Sequence, residues 1–319
     1  MSGAALRRIA LCGLLPWSAV CNAGALHYCD APAPISADQK DKLLRFGAVI
    51  KTELEKSGQG LALIARSGLD LSRFGMRYSH AGFSLRDSLN TPWSVRQLYY
   101  ACDEKKPRLF DQGIAGFLLG TDDPSIGYVS LVFLPEAETQ ALQQTTLDNR
   151  HALELLGANY SANAYAFGQR YQNCNQWVVE TLAAAWGMLS GDDLRAQAQQ
   201  WLLARDYEPT RFEVGNRLLM WAGVFIPWLH RDDHPAEDLD EQRYRVSMPA
   251  SIEAFVQKTV LGATRLEVCH TDRIMVLHRG WESIAEGCLP GADDTVIRFD
   301  PAAGVAAAAG AAATETTAP

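Results

Sequence analysis

Apolar and polar positions along the chain follow two periods. Over residues 35–57 leucine, phenylalanine, valine and isoleucine recur at three- and four-residue spacing behind Ser36, which predicts a capped helix. Residues 60–67 (GLALIARS) form a short continuous apolar run, which predicts a buried strand. Residues 78–85 (YSHAGFSL), 93–101 (WSVRQLYYA) and 125–134 (SIGYVSLVFL) are rich in branched and aromatic residues and predict three more strands. The period then changes. Residues 136–156 predict a helix closed by Gly157, and 175–189 and 194–203 predict two others. Beyond Tyr207 the pattern is irregular and broken by Pro227, Pro235 and Pro249; a helix over 252–260 then precedes a hairpin between Cys269 and Cys288. Strands that include His80 followed by helices that include Cys174, with no internal repeat, predict an α+β fold.

The ends stand apart from this pattern. Arg7 and Arg8 precede an apolar run over 9–20 and the small-residue stretch Ala23-Gly24-Ala25. That predicts a secretory signal peptide over 1–25, its apolar run too short to cross a bilayer. Cys21 raises a lipoprotein alternative, which Val20 immediately before it disfavours. The apolar stretch 218–229 contains Pro227 and predicts core, so no transmembrane segment is expected and the mature protein is expected to be periplasmic or secreted. Residues 301–319 are alanine-rich with almost nothing to bury, which predicts a disordered tail. Between the ends lie a core over 26–205 and a C-terminal extension over 206–300. A net charge of −8 and the lack of a basic cluster argue against nucleic acid as a partner.

An exported chain meets an oxidising compartment, where cysteines pair. Removal of the signal leaves Cys29, Cys102, Cys174, Cys269 and Cys288, an odd number. Four cysteines allow three connectivities. The expected bridges are Cys269–Cys288, closing a short loop, and Cys29–Cys102, tying the mature N-terminus to a strand. Cys174 is then left as a free thiol.

Cys174 stands before a predicted helix. A helix N-terminus favours a thiolate through its dipole and free amides, so a lowered thiol pKa is expected there. An isolated cysteine before a helix is nonetheless more often a buried core residue. His80 shifts that balance. It is flanked by the small residues Ser79, Ala81 and Gly82, which leave a ring accessible. Thiol catalysis needs a nucleophile, a base and an oxyanion donor, and these two residues supply the first two. Metal-ligand spacing is lacking apart from the adjacent Cys269-His270, and no glycine-rich phosphate loop is present, so neither metal nor cofactor is expected.

The strand motif Ser79-His80-Ala81-Gly82 followed by Asn173-Cys174-Asn175-Gln176-Trp177 resembles the circularly permuted branch of the papain-like NlpC superfamily. That branch includes lecithin retinol acyltransferase and the permuted desumoylating-type peptidases. Cys29-Asp30, LALIARSG, RYSHAGF, QNCNQWVVE and the late LHRGW together also resemble the exported bacterial domain-of-unknown-function family 2145. The superfamily resemblance implies an antiparallel sheet packed on helices, with Cys174 as nucleophile and His80 as base. It also implies a polar third residue on the following strand. Gln97 matches that place, with Arg96 and Tyr99 behind it and no carboxylate there. The Cys174 amide with Tyr78 or Asn173 would meet an oxyanion. The implied activity is a cysteine hydrolase or acyltransferase acting on an amide, ester or thioester of the envelope: a peptidoglycan peptide, a lipid or a lipoprotein. The missing carboxylate supports an alternative, a non-catalytic envelope protein on the same fold. In a third reading the protein is purely structural and Cys174 joins a disulfide with Cys102 or another cysteine.

Overall fold

The computed structural model describes residues 35–223 and 226–299. The expected signal peptide, Cys21, Cys29 and the alanine-rich tail lie outside the described residues.

Helix α1 (Ala37–Lys56) opens on a capping box: the Ser36 hydroxyl accepts from the Gln39 amide while the Gln39 side chain accepts from the Ser36 amide. Strands β1 (Leu61–Arg66), β2 (His80–Leu85), β3 (Ser94–Ala101) and β4 (Lys106–Gln112) follow, then the short helix α2 (Ile114–Leu118) and β5 (Gly127–Phe133). Next come the helices α3 (Glu136–Leu147), α4 (Asn149–Glu154), α5 (Cys174–Trp186) and α6 (Leu194–Ala204). The chain continues through β6 (Thr210–Glu213), α7 (Arg217–Ala222), α8 (Ala236–Asp240), β7 (Arg243–Val246) and α9 (Pro249–Thr259). It closes on β8 (Thr264–His270), β9 (Ile274–Arg279) and β10 (Thr295–Arg298).

Eight of these strands form one sheet in the order β10-β9-β8-β5-β1-β2-β3-β4, antiparallel throughout. Both faces are covered, which is why LALIAR reads as unbroken burial rather than alternation. Leu61, Leu63 and Ala65 face one core with Trp177, Val178 and Leu182 of α5, Leu142 of α3 and Phe255 of α9. Ala62 and Ile64 face a second core with Phe46, Ile50 and Leu54 of α1 and Phe117 of α2. The architecture is α+β, as the order of periods predicts. The 206–300 segment lends three strands to this same sheet and forms the small β6–β7 pair in the stretch that reads as irregular.

The helix predicted over 136–156 is two helices. Asp148 breaks it in an extended conformation and caps α4, its carboxylate accepting from the amides of Arg150 and His151. Cys269 bonds Cys288 across 19 residues with Cα atoms 5.8 Å apart, a closure worth about 3 kcal/mol in the chain-entropy model. Cys102 is disulfide-bonded; the partner expected for it, Cys29, lies outside the described residues. Cys174 is a free thiol, not part of a bridge.

Candidate active site

Residues 157–173 approach α5 without regular structure, so their polar groups are met by side chains. Gln172 is buried, accepting from the Gly157 amide at 2.7 Å and donating to the Leu155 carbonyl at 2.9 Å and to Glu180 at 2.5 Å. Glu180 is fully buried on α5 and also accepts from Gln176, Gln199 and Arg195. Arg195 in turn donates to the carbonyls of Gly168, Gln169 and Tyr171. Asn173 caps the helix, its side-chain oxygen accepting from the Gln176 amide at 2.7 Å. Helix α5 therefore begins at Cys174 with a fixed direction, buried on every side from Cys174 to Ala185.

The first turn of α5 meets the start of β2. Asn175 donates its side-chain amide to the Ser79 carbonyl at 3.2 Å. The backbone amides of Asn175, Cys174 and Ala81 turn toward the Cys174 sulfur. Ala81 directly follows His80 on β2, so the histidine backbone adjoins this contact, while consecutive strand residues point to opposite faces. No hydrogen bond joins the His80 ring to that sulfur among the described residues.

His80 is the first residue of β2, at a place where the sheet parts. The β2–β3 ladder runs only from Phe83↔Arg96 to Leu85↔Ser94. Beyond it side chains bridge the strands: His80 Nε2 lies 2.7 Å from Gln97 Oε1. Gln97 donates its own amide to Gln112 Oε1 on β4 at 2.9 Å, which fixes the oxygen toward the ring. The imidazole therefore carries its proton on Nε2 and leaves Nδ1 as an acceptor. The rings of Tyr99 and Phe117 lie 4.9 and 6.0 Å from it. Gly82 makes the close approach possible, since a Cβ there would meet the Arg96 carbonyl at 2.7 Å.

The electrostatics differ from the sequence expectation. Burial is the largest influence on both groups. It pushes the Cys174 thiol up to about 11, against the three amides and the Arg66 guanidinium, which act in the other direction. It pulls His80 down to about 3, with Arg66 adding to the fall and Gln97 opposing it. At neutral pH these shifts leave Cys174 a thiol and His80 a neutral imidazole. The sequence signals a helix N-terminus but not the depth at which it lies.

Tyr78 and Asn173 are committed elsewhere. The Tyr78 hydroxyl donates to the buried Glu267 and accepts from Arg265 at 3.3 Å. Glu267 is held further by Arg77 at 2.8 Å and the Ile284 amide at 2.7 Å. Asn173 donates to the carbonyls of Ala162 and Ser247. The donors nearest the sulfur are thus backbone amides. Two residues escape the sequence reading, Gln112 and Arg66. Arg66 ends β1 directly across from His80 and is buried. The signal for it is the Arg-Ser-Gly step over 66–68, which ends an apolar strand on a charge.

A family model for uncharacterised proteins conserved in bacteria, DUF2145, matches residues 53–256. The chain belongs to that family. The match takes in His80, Gln97, Gln112 and Cys174 of this DUF2145 member and ends within α9. No curated protein and no solved structure matches the chain. Among the described residues no helix is long and apolar enough to cross a membrane, and no three His, Cys, Asp or Glu side chains are grouped to hold a metal ion.

Proposed function

We propose that this DUF2145 protein is an exported cysteine hydrolase or acyltransferase of the permuted papain-like type, acting on an amide, ester or thioester of the bacterial envelope. Cys174 is its nucleophile, His80 its base and Gln97 the residue that orients the base. The observation that carries the reading is the chain of contacts Gln112–Gln97–His80, with the amide following His80 turned to the Cys174 sulfur. It follows the order nucleophile, base, orienting group that thiol catalysis requires.

The raised thiol and lowered imidazole decide how such a site works. A preformed thiolate–imidazolium pair is disfavoured, so the proton moves as the bond forms. The Cys174 sulfur adds to the substrate carbonyl while its proton passes to His80 Nδ1. The carbonyl electron pair moves to oxygen, which accepts from the Cys174 and Asn175 amides. Collapse expels the leaving group with the proton from His80 and leaves a thioester on Cys174. Water, in hydrolysis, or a second acceptor, in transfer, then releases the acyl group with His80 again taking the proton.

The test uses p-nitrophenyl acetate as an acyl donor and intact mass as the readout. The wild type is expected to gain one acetyl group, lost in Cys174→Ala. His80→Ala is expected to slow acylation by on the order of 100-fold or more, the usual worth of a general base. Acylation of Cys174 at the same rate in both proteins would defeat the reading. The depth of the thiol favours a second reading, a non-catalytic envelope protein on this fold, and that one is supported if Cys174 is acylated only after unfolding.

A further inference from the structure

Arg66 is 5% exposed, and its partners are all neutral. Its guanidinium donates to the carbonyls of Gly120 and Ser67 and to the Tyr99 hydroxyl at 2.8 Å. It lies over the Phe117 ring, 5.2 Å from the centroid. Its Nε is buried without a partner. Gly68 and Gly120 leave room for it, since a Cβ at either would strike the guanidinium. A buried cation without a counter-ion is costly, and such groups cluster where charge is used.

Other charges on elements packed round the thiol are already matched. Arg96 on β3 is paired with Asp111 on β4 at 2.7 Å. Glu180 on α5 is paired with Arg195 at 2.9 Å. Glu253 on α9 is paired with Arg265 at 2.9 Å, and Glu267 on β8 with Arg77 at 2.8 Å. His80 on β2 is neutral. Arg66 is left as the one unmatched charge among these groups.

We infer that Arg66 is a positioning residue whose charge is held in reserve for the anion that forms at Cys174. This rests on the proposed cysteine chemistry. In papain-like pairs the imidazolium offsets the thiolate; here the fixed guanidinium across β1–β2 takes that part. It has a second effect on the same reaction. A proton accepted by His80 lies opposite a fixed positive charge, so the imidazolium is a strong acid and passes its proton readily to the leaving group.

The experiment compares Cys174 alkylation by neutral iodoacetamide and anionic iodoacetate across pH, in wild type, Arg66→Gln and Arg66→Lys. Thermal melts accompany each variant to confirm folding. A charge role predicts that Arg66→Gln moves the iodoacetamide profile up by about one pH unit, which is about tenfold in rate at fixed pH. It should also lower the iodoacetate-to-iodoacetamide rate ratio. Arg66→Lys keeps the charge but not the planar fork and should preserve both. Equal damage from glutamine and lysine would show a structural clamp and overturn the inference. So would an unchanged profile in Arg66→Gln, and either result leaves the nucleophile assignment standing. A native wild type that labels at no pH up to 10 would remove both.

Discussion

The Glu180 cluster sets the start of α5, and its worth can be read from its partners. Glu180 is fully buried and accepts five hydrogen bonds: from Gln172 at 2.5 Å, Gln199 at 2.6 Å, Gln176 at 3.2 Å, and Arg195 at 2.9 and 3.2 Å. In Glu180→Ala the three glutamine amides keep carbonyl partners at Leu155, Gly168, Tyr165 and Ala166. Arg195 likewise keeps three carbonyls but loses its counter-charge. The loss is therefore mainly that of a stranded buried cation, about 3–5 kcal/mol, with the retained carbonyls favouring the lower end. For a domain of this size that is a fall in Tm of roughly 10 °C. Calorimetry or urea titration at pH 7 measures it. The double variant Glu180→Met with Arg195→Met removes both charges and should be markedly more stable than Glu180→Ala, because a buried ion pair exchanged for apolar groups is often neutral. A cost below about 1 kcal/mol for Glu180→Ala, or a double variant less stable than the single, would refute the assignment.

Three other outcomes follow from the geometry. Replacing Cys269 and Cys288 by alanine should cost about 3 kcal/mol in urea titration; no change would show that the closed loop is not constrained. Gly82→Ala should push β2 from β3 at the Arg96 carbonyl, separate His80 from Gln97 and slow Cys174 acylation more than it lowers Tm; normal acylation would contradict the close approach. Burial holds His80 down to about 3 and His270 down to about 4, both below the ordinary 6.5. The unfolded chain therefore binds protons that the folded one refuses. Their contribution is complete above about pH 6.5 and is lost as pH falls toward those values, so the urea midpoint should drop between pH 6.5 and 4. His80→Gln should flatten that drop, and an identical slope would count against a buried neutral ring.

The parts of the fold legible in the sequence are those where local chemistry and burial agree. Ser36 with Gln39, Asn173 before α5 and the small residues round His80 carry their roles in short stretches. β4 does not read as a strand because KPRLFDQ is charged, holds a proline and is largely unburied, so its only instruction to be a strand is its pairing with β3. β10 (TVIR) is exposed along its whole length and is held by its pairing with β9. Asp148 reads as one polar position in a long helix, yet its carboxylate stabilises a new N-terminus more than the chain gains by continuing. Within the site, Cys174 and His80 could be named from residue type, but their protonation could not, since desolvation depends on what covers them. Arg66 and Gln112 carry no such signal in their residue type, because an arginine or glutamine at a strand end reads as surface until the opposite strand is in place.

The strand order carries a consequence for how the chain matures. β5 is among the first strands made but lies between β1 and β8, and β8 arrives only after helices α1 to α9. Until Thr264–His270 is synthesised, the apolar strand Gly127–Phe133 has one unsatisfied edge, and so does the sheet that carries His80. Such contacts are far apart in sequence and close slowly, leaving a strand edge open to other chains meanwhile. A chain ending at residue 263 should be recovered as aggregate although it contains Cys174, His80 and Gln97, and adding the segment 264–299 should return it to solution. The last strands thus act as a release condition: nothing upstream of them is a finished sheet until they dock.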